Sequence, residues 1–203
     1  IIDIGGESTR PGAKRVSKNE EKERILPMLK FLSKKNIPVS IDSYKPEIVE
    51  IAIKNGANMV NDIFGLRKKG MAELVAGYDI PVIIMHIQGT PENMQKDPVY
   101  DDVIDQLLAF FDQRINFAIK KGIKDENIII DPGIGFGKKL EHNLCILKNI
   151  DSFKSLGFPV LVGHSRKSMF GMILNVPVEA RLIGTLAVTS YLALKGVNII
   201  RVH

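Results

Sequence analysis

A chain of 203 residues, 45% hydrophobic and 25% charged, is long enough for one large domain with a substantial core. Its net charge of +5 fits anionic small molecules, but Lys and Arg are scattered along helical segments instead of forming one stripe, which argues against a nucleic-acid face. No apolar run approaches the roughly 18 residues that span a bilayer, signal-peptide marks are missing, and the single cysteine, Cys145, has no internal partner, so a reducing, cytoplasmic setting is expected.

The chain opens with an apolar run, Ile1 to Ile4, that passes into the glycine-bounded polar loop Gly5 to Gly12. Ser17 and Glu20 form a capping-box signature, and Ile25, Leu26, Leu29 and Leu32 keep helical spacing, with Pro27 implying a kink or a delayed start. A strand–helix unit then repeats. Pro38 to Asp42 reads as a strand, Pro46 opens a helix that Asn55-Gly56 ends, and Met59 to Ile63 reads as a strand. A short helix is expected over 71–76, a strand over 80–86, and a helix over 101–121 with Gly122 past its end. Ile128 to Asp131 is a compact apolar strand, and Pro132, Gly133, Gly135 and Gly137 break the pattern after it. Helices over 141–156 and 178–195 flank a strand at 159–163, and 198–203 is a last strand.

Short apolar strands alternating with helices imply a parallel sheet covered by helices, an α/β fold in a single domain spanning 1–203. A TIM (β/α)8 barrel is favoured over a doubly wound sheet by where the polar residues fall. Asp3, Asp42, Asn61, His86, Asp131, Ser165 and Arg201 with His203 lie at or just beyond the ends of all the strands, where such barrels carry function. Seven of the eight strands are expected in this chain, against a typical barrel of roughly 250 residues.

Alternate residues of a strand share a face, which groups Ser40 with Asp42, Met59 with Asn61, Ile129 with Asp131, and Arg201 with His203. Carboxylates, an amide and cations converging at the barrel mouth suit a flat heterocycle with an amidine-like edge, since a carboxylate accepts two parallel N–H donors. The cationic stretch Ser165-Arg166-Lys167-Ser168, read as a loop, falls with Arg201 and His203 where barrels often hold a phosphate. Asp62 is expected to cap or face a helix, and His142 and His164 to be hydrogen-bonded structural or rim histidines. No zinc-like spacing and no P-loop is present.

The segments IDIGGESTRPG (2–12), IDSYKP (41–46), NDI (61–63), MH followed by GTPENMQ (85–95), DPGIGFGK (131–138), GHSRKSMFG (163–171) and RVH (201–203) run in an order that resembles the dihydropteroate synthases, folate-pathway enzymes inhibited by sulfonamides. The resemblance implies condensation of 4-aminobenzoate with a dihydropterin methyl diphosphate, with Asp42, Asp131 and Lys167 as catalytic residues. Asp42, Asn61, Met85, Asp131, Phe136 and Lys167 would hold the pterin. Thr9, Arg10, Pro11, Lys167, Ser168 and Phe170 would surround 4-aminobenzoate, and Thr9, Arg201 and His203 would grip the diphosphate. It also implies Mg2+, whose Asn ligand would lie in a first strand–loop segment that this chain does not contain, so that no metal ligand is expected here; a helix after the last strand would be missing too. A homodimer is implied. The rival readings are a pterin-binding methyltransferase serving a corrinoid, for which the Thr9-Arg10-Pro11 loop has no use, and a non-catalytic or inert barrel.

Overall fold

A computed structural model describes residues 1–203. Seven parallel strands alternate with helices: β1 (Ile2–Ile4), α1 (Lys18–Ser33), β2 (Val39–Asp42), α2 (Pro46–Lys54), β3 (Met59–Asp62), α3 (Met71–Tyr78), β4 (Val82–Met85), α4 (Val103–Lys120), β5 (Ile128–Asp131), α5 (Leu140–Lys148), α6 (Ile150–Lys154), β6 (Leu161–Gly163), α7 (Ser168–Leu174), α8 (Leu182–Leu194) and β7 (Ile199–Arg201). No single helix is long and apolar enough to cross a membrane.

Each strand pairs with its successor in the chain, β1 through β5 in one ladder and β6 with β7 in another, and an Ile130–Val160 bridge joins the two. Laid flat, β1 and β7 would stand six spacings, about 29 Å, apart. Instead Arg201 Nε of β7 donates to Asp3 Oδ2 of β1 at 2.7 Å. The sheet is therefore rolled into a barrel, open along one seam where β1 and β7 exchange no backbone hydrogen bonds.

Two apolar layers follow from the period of two along the strands. One set of faces meets the helices in a core that includes Ile41, Val60, Ile84, Ile130 and Val162. The opposite set, Met59, Ile83, Ile129, Leu161 and Ile199, fills the barrel interior. Two residues further along, the inward positions become Asn61, Met85, Asp131, Gly163 and Arg201. The barrel is thus apolar below and polar at its mouth.

Several elements depart from expectation. Helix α1 runs through Pro27 without a delayed start; Ser17 Oγ accepts from Glu20 N at 3.2 Å, but Glu20 turns to Arg24 and leaves the capping box half made. The helix expected over 141–156 is two, because Asn149 ends α5 and its side chain donates to Cys145 O. The stretch read as a loop after β6 is one through Lys167, but Ser168 already opens a short helix, α7, and 178–181 forms a 3-10 turn before α8. Asp62 caps a turn, not a helix, accepting from the N–H groups of Phe64 and Leu66.

Candidate active site

Strand β5 ends on Asp131, which is buried, and the chain turns at once through Gly133. Gly133 has φ +68° and lies so close to β4 that a Cβ would sit 2.0 Å from His86 O; only glycine fits. The turn aims Gly133 N–H at Asp131 Oδ1, 2.7 Å away. Burial pushes the Asp131 carboxyl above the usual range, while that N–H and the charges of Lys167, Lys138 and Arg201 pull it back.

Lys167 comes from the other side, at the N-cap of α7. Its Nζ donates to Ile134 O and sits over the Phe136 ring, 4.4 Å from the centroid. A Cβ on Gly135 (φ +79°) would press within 3.0 Å of the Lys167 stem, so this glycine keeps the lysine's path open. Burial brings the Lys167 ammonium down to about 8, opposed by Asp131 and reinforced by Arg201.

Around the mouth, Asp42 pairs in register with Asn61, and Asp3 with Ser40. Arg201 spans two of these residues, reaching Asp3 Oδ2 at 2.7 Å and Asp42 Oδ2 at 3.4 Å, and Asn61 Nδ2 donates to Asp3 Oδ2 at 3.3 Å. Asp3 Oδ1, Ser40 Oγ, Asp42 Oδ1 and Asn61 Oδ1 are buried with no hydrogen-bond partner. Four bare acceptors in one place are costly unless a ligand brings donors to them. Burial and the neighbouring Asp3 raise the Asp42 carboxyl to about 7, against the pull of Arg201.

His203 follows β7, its backbone N–H 3.3 Å from Ser165 Oγ. Burial, then the charges of Arg201 and Arg10, hold its imidazolium below the usual range. The rim is thus cationic and the floor anionic. Thr9, Arg10 and Pro11 ride on the loop after β1, which touches the loop after β4 through Gly12 N to Pro91 O at 2.9 Å and an exposed Arg15–Glu92 pair. Met85 and Phe136 belong to an apolar wall with Tyr44, Ile63, Phe64, Ile87 and Met94.

Ser168 is exposed on the first turn of α7, whereas Phe170 turns inward. It is 3% exposed in the main core, because α7 packs on α8 where a Cβ at Gly184 would come within 2.7 Å of the Phe170 ring. Asp3 was legible only as a strand end, and its tie to Asn61 and Arg201 emerges from the rolled sheet. Lys138 was also unassigned. It is buried behind Asp131's turn, with Nζ 3.0 Å from both His86 Nδ1 and Phe136 O. Burial, with Lys138 and Arg67 nearby, brings His86 to about 2, so this imidazole is neutral and accepts at Nδ1. His142 and His164 are structural: His142 Nδ1 accepts from Lys139 N, and His164 Nε2 lies against Thr185 O and Thr189 Oγ1.

The whole chain, residues 1–203, matches the family of pterin binding enzymes. The chain belongs to that family. Among its relatives, the dihydropteroate synthase of Clostridium beijerinckii is 47% identical over 206 residues, covering 100% of this chain and 74% of the relative. A Yersinia pestis dihydropteroate synthase solved in a sulfonamide drug complex superposes with a TM-score of 0.96 at 42% identity, covering 100% of this chain and 74% of that one. The Clostridium difficile dihydropteroate synthase solved in the presence of pteroic acid superposes with a TM-score of 0.93 at 45% identity, over 100% and 75% of the two chains. The pterin-binding enzymes thus share this chain's rolled parallel sheet, and within them it sits with the dihydropteroate synthases.

Magnesium finds no ready cage. No group of three or more His, Cys, Asp and Glu side chains could hold a metal ion, and the carboxylate pair at the mouth, Asp3 and Asp42, already faces the Arg201 guanidinium. The residues present therefore do not fit a magnesium ion held by this chain alone.

Proposed function

We propose that this pterin-binding enzyme joins 4-aminobenzoate to (7,8-dihydropterin-6-yl)methyl diphosphate, releasing 7,8-dihydropteroate and diphosphate. The observation that carries the reading is the convergence at one mouth of the carboxylates of β2 and β5, four bare buried polar atoms, the cations Lys167 and Arg201, and the His203 imidazole. A pterin brings paired amidine N–H donors and ring acceptors, which match Asp131, Asn61, Asp42 and Lys167. Met85 and Phe136 supply the apolar wall for the ring.

Arg201 uses two of its five N–H donors on Asp3 and Asp42, leaving others for the diphosphate with His203 and Thr9. The methylene C–O bond breaks, and its electron pair leaves on the diphosphate toward those cations. Asp42 and Asp131 offset the positive charge that develops on the pterin methylene. The neutral arylamine, placed by Thr9, Arg10 and Pro11 with Lys167 and Ser168, donates its lone pair to form the C–N bond and then gives up a proton. No activated nucleophile is needed. Ionisation first implies that an 18O label in the bridging position scrambles within the diphosphate even without 4-aminobenzoate; a label that stays in place without the amine contradicts that order.

The apolar side chains exposed on α7 and α8, among them Met172, Ile173, Leu182, Ile183 and Leu186, support the homodimer as part of this reading, and sedimentation would read its mass. The deciding experiment measures diphosphate release with and without 4-aminobenzoate. Release is expected to depend on the amine and to fall about 100-fold or more in Lys167→Ala, the loss of a charged contact that tightens in the transition state. Release indifferent to the amine, or to Lys167, overturns the reading.

A further inference from the structure

The loop that carries Thr9, Arg10 and Pro11 has little structure of its own. Its one internal backbone bond runs from Ala13 N to Arg10 O, at 3.0 Å. Beside the Gly12–Pro91 and Arg15–Glu92 contacts to the loop after β4, a buried set of charges that the chemistry above does not use holds it at its neck.

Lys45, just before α2, spends all three donors of its ammonium there. Nζ lies 2.6 Å from Glu7 Oε2, 2.8 Å from Val16 O and 2.6 Å from Glu21 Oε2. Glu7 and Val16 are the two ends of the loop, and Glu7 Oε2 also accepts from Val16 N at 3.0 Å. One cation therefore closes the loop's neck and fastens it to α1 through Glu21. The anions are held in turn: Tyr44 donates to Glu7 Oε1 at 2.6 Å, and Ser43 to Glu21 Oε1 at 2.7 Å. The site is dry, with side-chain exposures of 13% for Lys45, 7% for Glu7 and 1% for Glu21. Burial opposes the Glu7 charge, yet the Lys45 and Tyr44 bonds outweigh it and keep this carboxyl below the usual range.

We infer that Lys45 is a positioning residue for 4-aminobenzoate: by pinning Glu7 and Val16 together it fixes the loop whose tip presents Thr9, Arg10 and Pro11 to the pocket. The inference rests on the function proposed above for that tip. Lys45 itself touches no substrate. Its sequence neighbour Asp42 stands on the pterin side of the pocket, anchored in β2 by ladder bonds that do not involve the lysine. Losing the pin should therefore loosen one substrate's contacts and spare the other's.

Lys45→Met removes the pin, and Glu7→Gln is the milder second variant, since it leaves the Lys45–Glu21 pair in place. Each is compared with wild type for pterin affinity by calorimetry, for the Michaelis constant of the arylamine substrate, and for the rate at which trypsin cuts after Lys14 or Arg15 in the folded protein. The expected result is an arylamine Michaelis constant raised about tenfold or more, a pterin affinity within about threefold of wild type, and faster loop cleavage. Parallel losses for both substrates mark a merely structural residue and overturn the inference, as does unchanged cleavage. Should the wild type not turn over 4-aminobenzoate, the synthase reading fails, and the cleavage rates still decide whether Lys45 pins the loop. If Lys45→Met does not fold, the same split and the same cleavage are read in Glu7→Gln.

Discussion

Asp42 shows how much one carboxylate can carry. One oxygen meets Arg201 and the other has no partner, and burial beside Asp3 raises its ionisation to about 7 from an unfolded value of about 3.9. A folded state that holds this proton more tightly than the unfolded chain is favoured at low pH and loses that advantage as pH rises through about 7. The ligand-free protein should thus melt at progressively lower temperature from pH 4 to pH 7 on account of this residue, and Asp42→Asn should flatten that dependence; thermal melts across the range check it. Pterin binding through ionised Asp42 runs the other way, strengthening with pH. Asp131→Asn replaces an acceptor with a group that offers one acceptor and unwanted donors. Hydrogen bonds to charged groups contribute about 1.5–3 kcal/mol, so pterin affinity measured by calorimetry should fall roughly 10- to 150-fold. Both carboxylates were legible in the sequence, because each ends an apolar run and shares parity with inward residues. The roles of Asp3, Lys45 and Lys138 were not. Each depends on partners brought close by the rolled sheet, and such contacts leave no period in the chain.

At the scale of elements, strands and most helices announced themselves through apolar runs bounded by Gly and Pro. Helix α7 did not. Its first turn follows a charged pair, Arg166-Lys167, and its seven residues are too few for a period to show. What makes it a helix is tertiary: Met169 and Phe170 enter the main core, and Gly184 gives the Phe170 ring room against α8. The same docking explains why Phe170 packs inward while Ser168 faces out. Asn149 was equally silent, since a capping amide in mid-pattern looks like any exposed polar residue. Helix α4 offers a clean test of local signals. Asp102 caps it, accepting from Ile104 N at 2.8 Å and Asp105 N at 2.9 Å, and is exposed. Asp102→Ala should cost about 1 kcal/mol of stability in urea melts and leave steady-state kinetics unchanged.

For the whole molecule the decisive contact is the seam. Arg201 reaches Asp3 and Asp42 across the barrel mouth, tying β7 to β1 and β2 where no backbone ladder does. Deleting one member of a partly buried charge group leaves the others uncompensated. Arg201→Met should therefore lower the melting temperature, and more so at pH 8 than at pH 5. At the higher pH Asp42 is ionised and has lost its guanidinium partner, whereas at the lower pH it keeps its proton. The strand order and the polar mouth were foreseeable from sequence. The ion pair that closes the mouth was not, because nothing local links position 3 to position 201.

That pair also sets a timetable. Asp3 leaves the ribosome long before Arg201 has been polymerised, and at about 5–20 residues per second the 198 positions between them take roughly 10–40 s. Until Arg201 is added, a growing barrel that has begun to fold gathers Asp3, Asp42 and, once it has been made, Asp131, without the β7 guanidinium. Cotranslational folding should accordingly stall at a half-built, acid-lined cup, and the final strand then acts as the counter-ion that lets the cup close.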